Sequence, residues 1–164
     1  MNTMDGLLFK PIGIIHSPFT DPAGTPIQPT ASRGIHGQVE VFTQFTLGLK
    51  DLDGFTYIIL LYHFNRVREV RLEVKPFLDD QFRGVFATRA PVRPNPIGLS
   101  VVRLVDIRDN VLEVADIDIL DSTPLLDLKP YVDKFDGRSS PRQGWLEENI
   151  AGLPGRQDDG RFTD

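Results

Sequence analysis

The chain has 164 residues, a net charge of −5 and no cysteine. Apolar residues make up 40% and charged residues 25%, ordinary globular usage that predicts a single domain with a real core. These figures exclude disulfides, cysteine-ligated zinc and a thiol nucleophile, and they argue against a generic basic nucleic-acid coat.

In chain order, "KPIGIIHSP" predicts a first strand, closed by Pro18. Residues 19–36 are rich in Pro, Gly, Thr and Ser and predict a long loop, of a length that tends to carry function in compact domains. "GQVEVF" alternates as a short strand, and "QFTLGLKDLDGF" reads as a turn of helix followed by a tight turn. The β-branched and aromatic run "FTYIILLYHF", residues 55–64, predicts a strand buried on both faces. "REVRLEVKP" sets Val70, Leu72 and Val74 against Glu69, Arg71, Glu73 and Lys75, the pattern of a half-buried strand, and "GVFATR" predicts another.

The run "ATRAPVRPNPIGLS", residues 87–100, holds Pro91, Pro94 and Pro96, which forbid helix and central strand. It predicts a stiff loop that keeps Arg89 or Arg93 ready for an anion, or simply a proline-rich crossover. "GLSVVRLVDI" and "VLEVADIDIL" flank "RDN" and predict a hairpin. The apolar parity shifts after Val114, which implies a bulge or burial of both faces. "TPLLDLKPYV" is the last predicted strand. In "RSSPRQGWLEENIAGLP", Ser140 is placed to cap a short helix that docks by Trp145, and the final "GRQDDGRFTD" is expected to be disordered. The sum is an all-β, single-domain antiparallel β-barrel over residues 1–137, with a short C-terminal helix and flexible tail over 138–164.

The chemistry is sparse. There is no phosphate-binding glycine fingerprint and no serine-nucleophile elbow. His16, His36 and His63 lie far apart, so no metal site is predicted. No signal peptide or membrane-length apolar run is visible, and a soluble, cytoplasmic chain with no membrane contact is expected. Two polar constellations remain. One is the proline-rich loop with its arginines. The other is "DIDILDSTPLLDLKPY", where Asp116 and Asp118 would share a face of a strand. Arginine and aspartate either pair with each other or divide a zwitterionic ligand between them.

The segments "PIGIIHSP", "QPTASRGIHGQVEV", "GLKDLDGFTYIILLYHF", "GVFATRAPVRPNPIGLSVVRL" and "DIDILDSTPLLDLKPYV" resemble the TsaA-like family, which includes the TrmO-type tRNA methyltransferases. The resemblance runs from about Pro11 to Tyr131. It implies a small β-barrel, usually a homodimer, with S-adenosyl-L-methionine as cofactor. It also implies methylation of N6 of threonylcarbamoyl-adenosine, next to the anticodon of tRNA. Carried onto this sequence, the family's cofactor contacts fall on Gln28, Pro29, Thr30, His63, Phe64, Arg89, Leu99, Asp118, Ile119, Leu120 and Asp121. Arg89 would suit the cofactor carboxylate, Asp118 or Asp121 its ammonium or ribose diol, and Leu99, Ile119 and Leu120 its adenine. No catalytic base is implied. Ser122 stands where the family commonly has glycine, so a positive φ there would strain it. The alternatives are a non-catalytic cofactor-sensing module on the same barrel, or methylation of a different nucleoside or small molecule.

Overall fold

The computed structural model describes residues 6–27, 32–149 and 157–162. Eight strands form: β1 (Gly13–His16), β2 (His36–Val41), β3 (Tyr57–His63), β4 (Glu73–Val74), β5 (Arg83–Gly84), β6 (Ile97–Arg108), β7 (Val111–Ala115) and β8 (Thr123–Pro130). Six of them close an antiparallel barrel in the order β1-β2-β7-β6-β3-β8, and β4 and β5 make a separate two-stranded sheet. Closure leaves the barrel no edge to protect. The expected all-β barrel is the observed architecture.

Side chains alternate across each strand, so one parity fills the barrel. Ile15, Val39, Ile58, Leu60, Val102, Leu112, Val114 and Leu125 are fully enclosed in one core. Each large aliphatic there contributes about 1.5–3 kcal/mol by leaving water. β3 was expected to be buried on both faces. It instead buries only Ile58, Leu60 and Tyr62, while Tyr57, Ile59, Leu61 and His63 line the outer wall of the barrel. Small barrels have one core, so a continuous apolar run need not mean two buried faces.

The β6–β7 hairpin forms as the sequence predicts, with Asp109 taking a positive φ of 54° in the turn. The irregularity lies in β6, between Leu104 and Asp106, not after Val114. The parity shift after Val114 has another cause. Asp116 adopts a φ of 67° and ends β7, so Asp116 and Asp118 lie in a loop and not on one strand face. Ser122 takes a φ of 63°, the conformation in which a glycine would be relaxed and serine is strained by about 1 kcal/mol.

Between β3 and β6 the chain makes an arm, residues 64–96. Only Glu73–Val74 and Arg83–Gly84 are strands, and "GVFATR" turns into a 3₁₀ turn at Val85–Ala87. Val70 and Leu72, predicted to share a buried face with Val74, are 56% and 63% exposed. The arm has its own small core of Val74, Val85, Ala90 and Val92, which Phe162 completes. The described tail residues 157–162 are therefore packed rather than disordered. Phe162 meets Phe77 edge-to-face at 5.0 Å, and Arg161 Nη1 donates to the carbonyl of Pro76 at 2.9 Å. Asp158 N donates to the carbonyl of Thr25 at 2.7 Å and Gly24 N donates to that of Asp158 at 2.8 Å, which ties the tail to the long loop. Short helices α1 (Asp133–Asp136) and α2 (Leu146–Asn149) precede it. Ser140 does not cap α2, since its Oγ donates to the carbonyl of Arg142. Ile150 lies outside the described residues.

Candidate functional site

A cleft of about 860 Å³ opens where one end of the barrel meets the arm and the tail. Its floor is the barrel: Tyr62 and Phe64 from the end of β3, Gly98 and Leu99 from β6, and Asp118, Ile119 and Leu120 from the β7–β8 loop. Its rim is the proline-rich segment with Arg89, Arg93 and Phe86. Its far side is closed by Pro22, Thr25, Pro26 and Ile27 of the long loop, by Trp145, and by Asp158 and Phe162 of the tail.

The floor is built on a hydrogen-bonded chain. β3 parity turns Tyr62 inward, and β6 parity does the same for Ser100. Ser100 Oγ donates to Asp118 Oδ1 at 2.7 Å, which commits its single proton. The 3.0 Å contact between Tyr62 and Ser100 must then be donated by the phenol. Burial, with the Asp118 charge, pushes the Tyr62 phenol well above its ordinary value, so it stays a donor. Burial pushes the Asp118 carboxyl up to about 6, against the lowering pull of Ser100 and of Arg89. At neutral pH the cleft floor thus presents one partly buried carboxylate, fixed by two hydroxyls and facing an arginine rim.

The β7–β8 loop that carries Asp118 is pinned on both sides. Gly34 N donates to Asp116 Oδ1 at 2.6 Å, Ser17 Oγ donates to the carbonyl of Ile119 at 2.6 Å, and Thr123 Oγ1 donates to that of Leu120 at 2.7 Å. Asp121 belongs to this scaffold. Its Oδ1 accepts from Ser17 N and its Oδ2 from Ser122 Oγ, while His16 Nδ1 lies 3.7 Å from Oδ1. Asp121 does not line the cleft, and neither does His63, which faces outward from β3. Phe64, Arg89, Leu99, Asp118, Ile119 and Leu120 all do. Gln28, Pro29 and Thr30 lie outside the described residues, although the chain enters them from Ile27 on the cleft wall.

The two arginines of the proline-rich loop have different work. Arg93 Nη1 donates to the carbonyls of Thr88 at 3.0 Å and Ala90 at 3.1 Å, so it clips the loop into shape. Arg89 stands on the exposed rim, close enough to Asp118 and Tyr62 to bias both. Sequence reasoning missed Tyr62, Ser100, Asp158 and Phe162. A tyrosine and a serine at barrel-facing parity were legible as interior polar groups needing partners. The tail residues gave no signal, because their packing rests on a few long-range contacts. A more open depression of about 1010 Å³ on the arm holds Arg71, Asp79 and Arg161, but Glu69, Arg83 and Asp159 already pair with them. No group of three potential metal ligands occurs among the described residues.

The family model for the tRNA-methyltransferase O N-terminal domain matches residues 14–137. A "probable S-adenosyl-L-methionine-binding protein" of Pyrococcus abyssi is 56% identical over 95% of this chain and 85% of its own length. The tRNA (adenine(37)-N6)-methyltransferase of Escherichia coli is 34% identical over 79% of this chain, which spans 59% of that protein. A crystal structure of TrmO from Pseudomonas aeruginosa superposes with a TM-score of 0.72 at 35% identity, covering 86% of this chain and 63% of that one.

Proposed function

This chain belongs to the tRNA-methyltransferase O N-terminal domain family, and from that premise we propose that it methylates N6 of a tRNA adenosine, in particular threonylcarbamoyl-adenosine beside the anticodon. Its cofactor is S-adenosyl-L-methionine. The observation that carries the reading is the Asp118 carboxylate, held by Ser100 on the floor of a cleft whose rim bears Arg89.

The residues present suit that cofactor. An anionic group needs a cation, and Arg89 supplies it. An ammonium or a ribose diol needs a fixed acceptor, and Asp118 supplies that. Leu99, Ile119 and Leu120 offer an apolar surface to an adenine. The resemblance also assigns Gln28, Pro29 and Thr30 to the cofactor; they lie outside the described residues. When bound, the cofactor would supply an electrophilic methyl group to the acceptor nitrogen, with Arg89, Asp118 and the surface of Leu99, Ile119 and Leu120 holding it in place. This chain's own contribution is alignment, since holding two reactants in line is worth on the order of 7–11 kcal/mol at best.

The outer wall of β3 and β6 presents Ile59, Leu61, Ile97, Leu99 and Val101 around His63, with Ile97 and Leu99 41% and 49% exposed. We assign this apolar face to a homodimer contact. Because Ile97 and Leu99 also line the cleft, the second copy would border the cofactor. Leu61→Arg is expected to halve the mass seen by sedimentation equilibrium. A wild-type protein that sediments as a monomer would remove the interface. A tRNA substrate agrees with the cytoplasmic location expected from the sequence.

The test is methyl transfer from isotope-labelled S-adenosyl-L-methionine into tRNA from cells lacking this modification, with nucleosides read by mass spectrometry. Label in methylated threonylcarbamoyl-adenosine is expected. Label in another nucleoside would change the substrate, and cofactor binding without label would favour a sensing module. Arg89→Ala is expected to weaken cofactor binding by ten- to a hundredfold, the usual worth of a charge-assisted hydrogen bond. Unaltered binding would return Arg89 to a purely structural role.

A further inference from the structure

Phe86 is 75% exposed, although it sits in the stiffest part of the chain. Its neighbour Val85 is 1% exposed and anchors the 3₁₀ turn in the arm's core. The turn therefore aims Phe86 outward, over the cleft that it lines. The Arg93 guanidinium lies over its ring at 6.0 Å and is itself held by the loop's carbonyls. Beside it, Trp145 Nε1 donates to the carbonyl of Ala87 at 2.8 Å, so the indole is pinned to the residue after Phe86. Trp145 carries its own cation, with Arg83 at 5.9 Å from the ring centroid, and Asp79 fixes that arginine at 2.7 Å. Two aromatic rings, each with an arginine against it, thus line the same cleft, and Trp145 is bonded to the residue that follows Phe86.

A large exposed ring costs free energy unless something covers it. The surrounding charge says what kind of occupant. Arg66, Arg89 and Arg93 line this cleft in a chain whose net charge is −5. A locally cationic, aromatic surface on an acidic protein fits a ligand that joins a flat π-face to anions. That is the chemistry of an unstacked nucleobase with its phosphates. The cleft's volume of about 860 Å³ is near the upper end for small-ligand pockets and leaves room for a base beside a cofactor.

We propose that Phe86 and Trp145, with Arg93 and Arg83 behind them, form the stacking platform that receives the acceptor nucleobase of a single-stranded RNA loop. This rests on the reading of the acceptor as a tRNA adenosine. It adds the residues that take the base, which neither the cofactor contacts nor the resemblance assigned.

Trp145 is the only tryptophan, so its fluorescence reports the platform directly. The probe is an anticodon-loop RNA, with a second RNA lacking the base at the acceptor position. The intact RNA should quench Trp145, and the abasic one should bind more weakly and quench little. Phe86→Ala should weaken binding of the intact RNA about tenfold, as loss of one stacking partner does. It should leave the salt dependence unchanged, because stacking releases no counterions. Phe86→Tyr should restore binding. Equal affinity of the wild type and Phe86→Ala for the RNA would overturn the platform alone. So would a Phe86→Ala protein that changes its oligomeric state, since the ring would then be covered by a second copy. A wild type that binds neither RNA would overturn the tRNA reading along with it.

Discussion

Replacing Asp118 with asparagine will cost ten- to a hundredfold in affinity for S-adenosyl-L-methionine at pH 8, and will flatten the pH dependence of that affinity. The wild type should bind with a plateau above about pH 6 and lose close to tenfold per unit below it. Asp118 lies on the cleft floor with Oδ1 committed to Ser100, and burial lifts its carboxyl to about 6. An ammonium or a diol needs the ionised form, so protonation competes with binding once the pH falls below that value. Asparagine keeps the shape and removes the titration. Asp158, also on the cleft wall, is the other carboxyl raised by burial here. A pH profile that survives Asp118→Asn would transfer the role to Asp158. Ser100→Ala should shift the wild-type threshold upward, because it deletes a donor that favours the ionised carboxylate.

The same group has the opposite sign for folding without ligand. Its folded value lies above the ordinary carboxylate value, so the folded state holds the proton more tightly than the unfolded chain does. Stability is therefore fully present only below the ordinary carboxylate value, near pH 4, and is lost as the pH rises from there through about 6, by up to about 3 kcal/mol. The cofactor would recover part of that loss by pairing the charge. A site that costs stability when empty and recovers it when filled is the usual economy of a buried binding carboxylate.

How much of this was legible follows from where each signal comes from. The barrel was legible because alternation and strand-length runs are local: β1, β3, β7 and β8 fall inside segments that read as strands, and β2 and β6 overrun theirs by single residues, at His36 and at Ile97 and Arg108. The arm was not. "REVRLEVKP" alternates cleanly, yet Leu72 is 63% exposed, since only Glu73 and Val74 pair with β5 and the arm's small core covers Val74 alone of that face. Alternation says which side chains share a face and not whether anything covers it. The tail failed for the reverse reason. "GRQDDGRFTD" is polar and short, and its described residues 157–162 are held by a buried ring, Phe162, and by Arg161 on the carbonyl of Pro76. At the site, the proline-rich loop and the acidic motif were visible as unusual residue clusters. Their division of labour was not, because it depends on which way each side chain turns. Arg93 turns back onto its own loop, while Asp121 clamps Ser17 away from the cleft. Ser122 shows the finer limit: a positive φ was inferable only from a comparison with glycine, and its value of 63° bears that out.

Gly98→Ala is expected to destabilise the protein by about 2–3 kcal/mol, the scale of overpacking in a tight core, and to lower its melting temperature by roughly 5–10 °C. Gly98 has no positive φ, so conformational freedom is not why glycine stands there. The reason is close approach. Gly98 pairs directly with Tyr62 across β3 and β6, and a Cβ would lie 2.2 Å from Tyr62 Cε2 and 2.4 Å from Cζ. The ring has nowhere to go. Its hydroxyl is bonded to Ser100, and its face meets Phe64 edge-on at 5.4 Å. Any shift of Tyr62 is passed through Ser100 to Asp118, so the variant should also lose cofactor affinity, a coupling of core packing to the site. The diagnostic is a double-mutant cycle by thermal unfolding. Tyr62→Leu removes the atoms that Gly98→Ala meets, so the pair should be less destabilised than the sum of the singles by about 1 kcal/mol or more. Strict additivity, or a Gly98→Ala protein that melts with the wild type, would show that β6 can slide away from the ring and that the glycine is not what seats Tyr62 over the cleft floor.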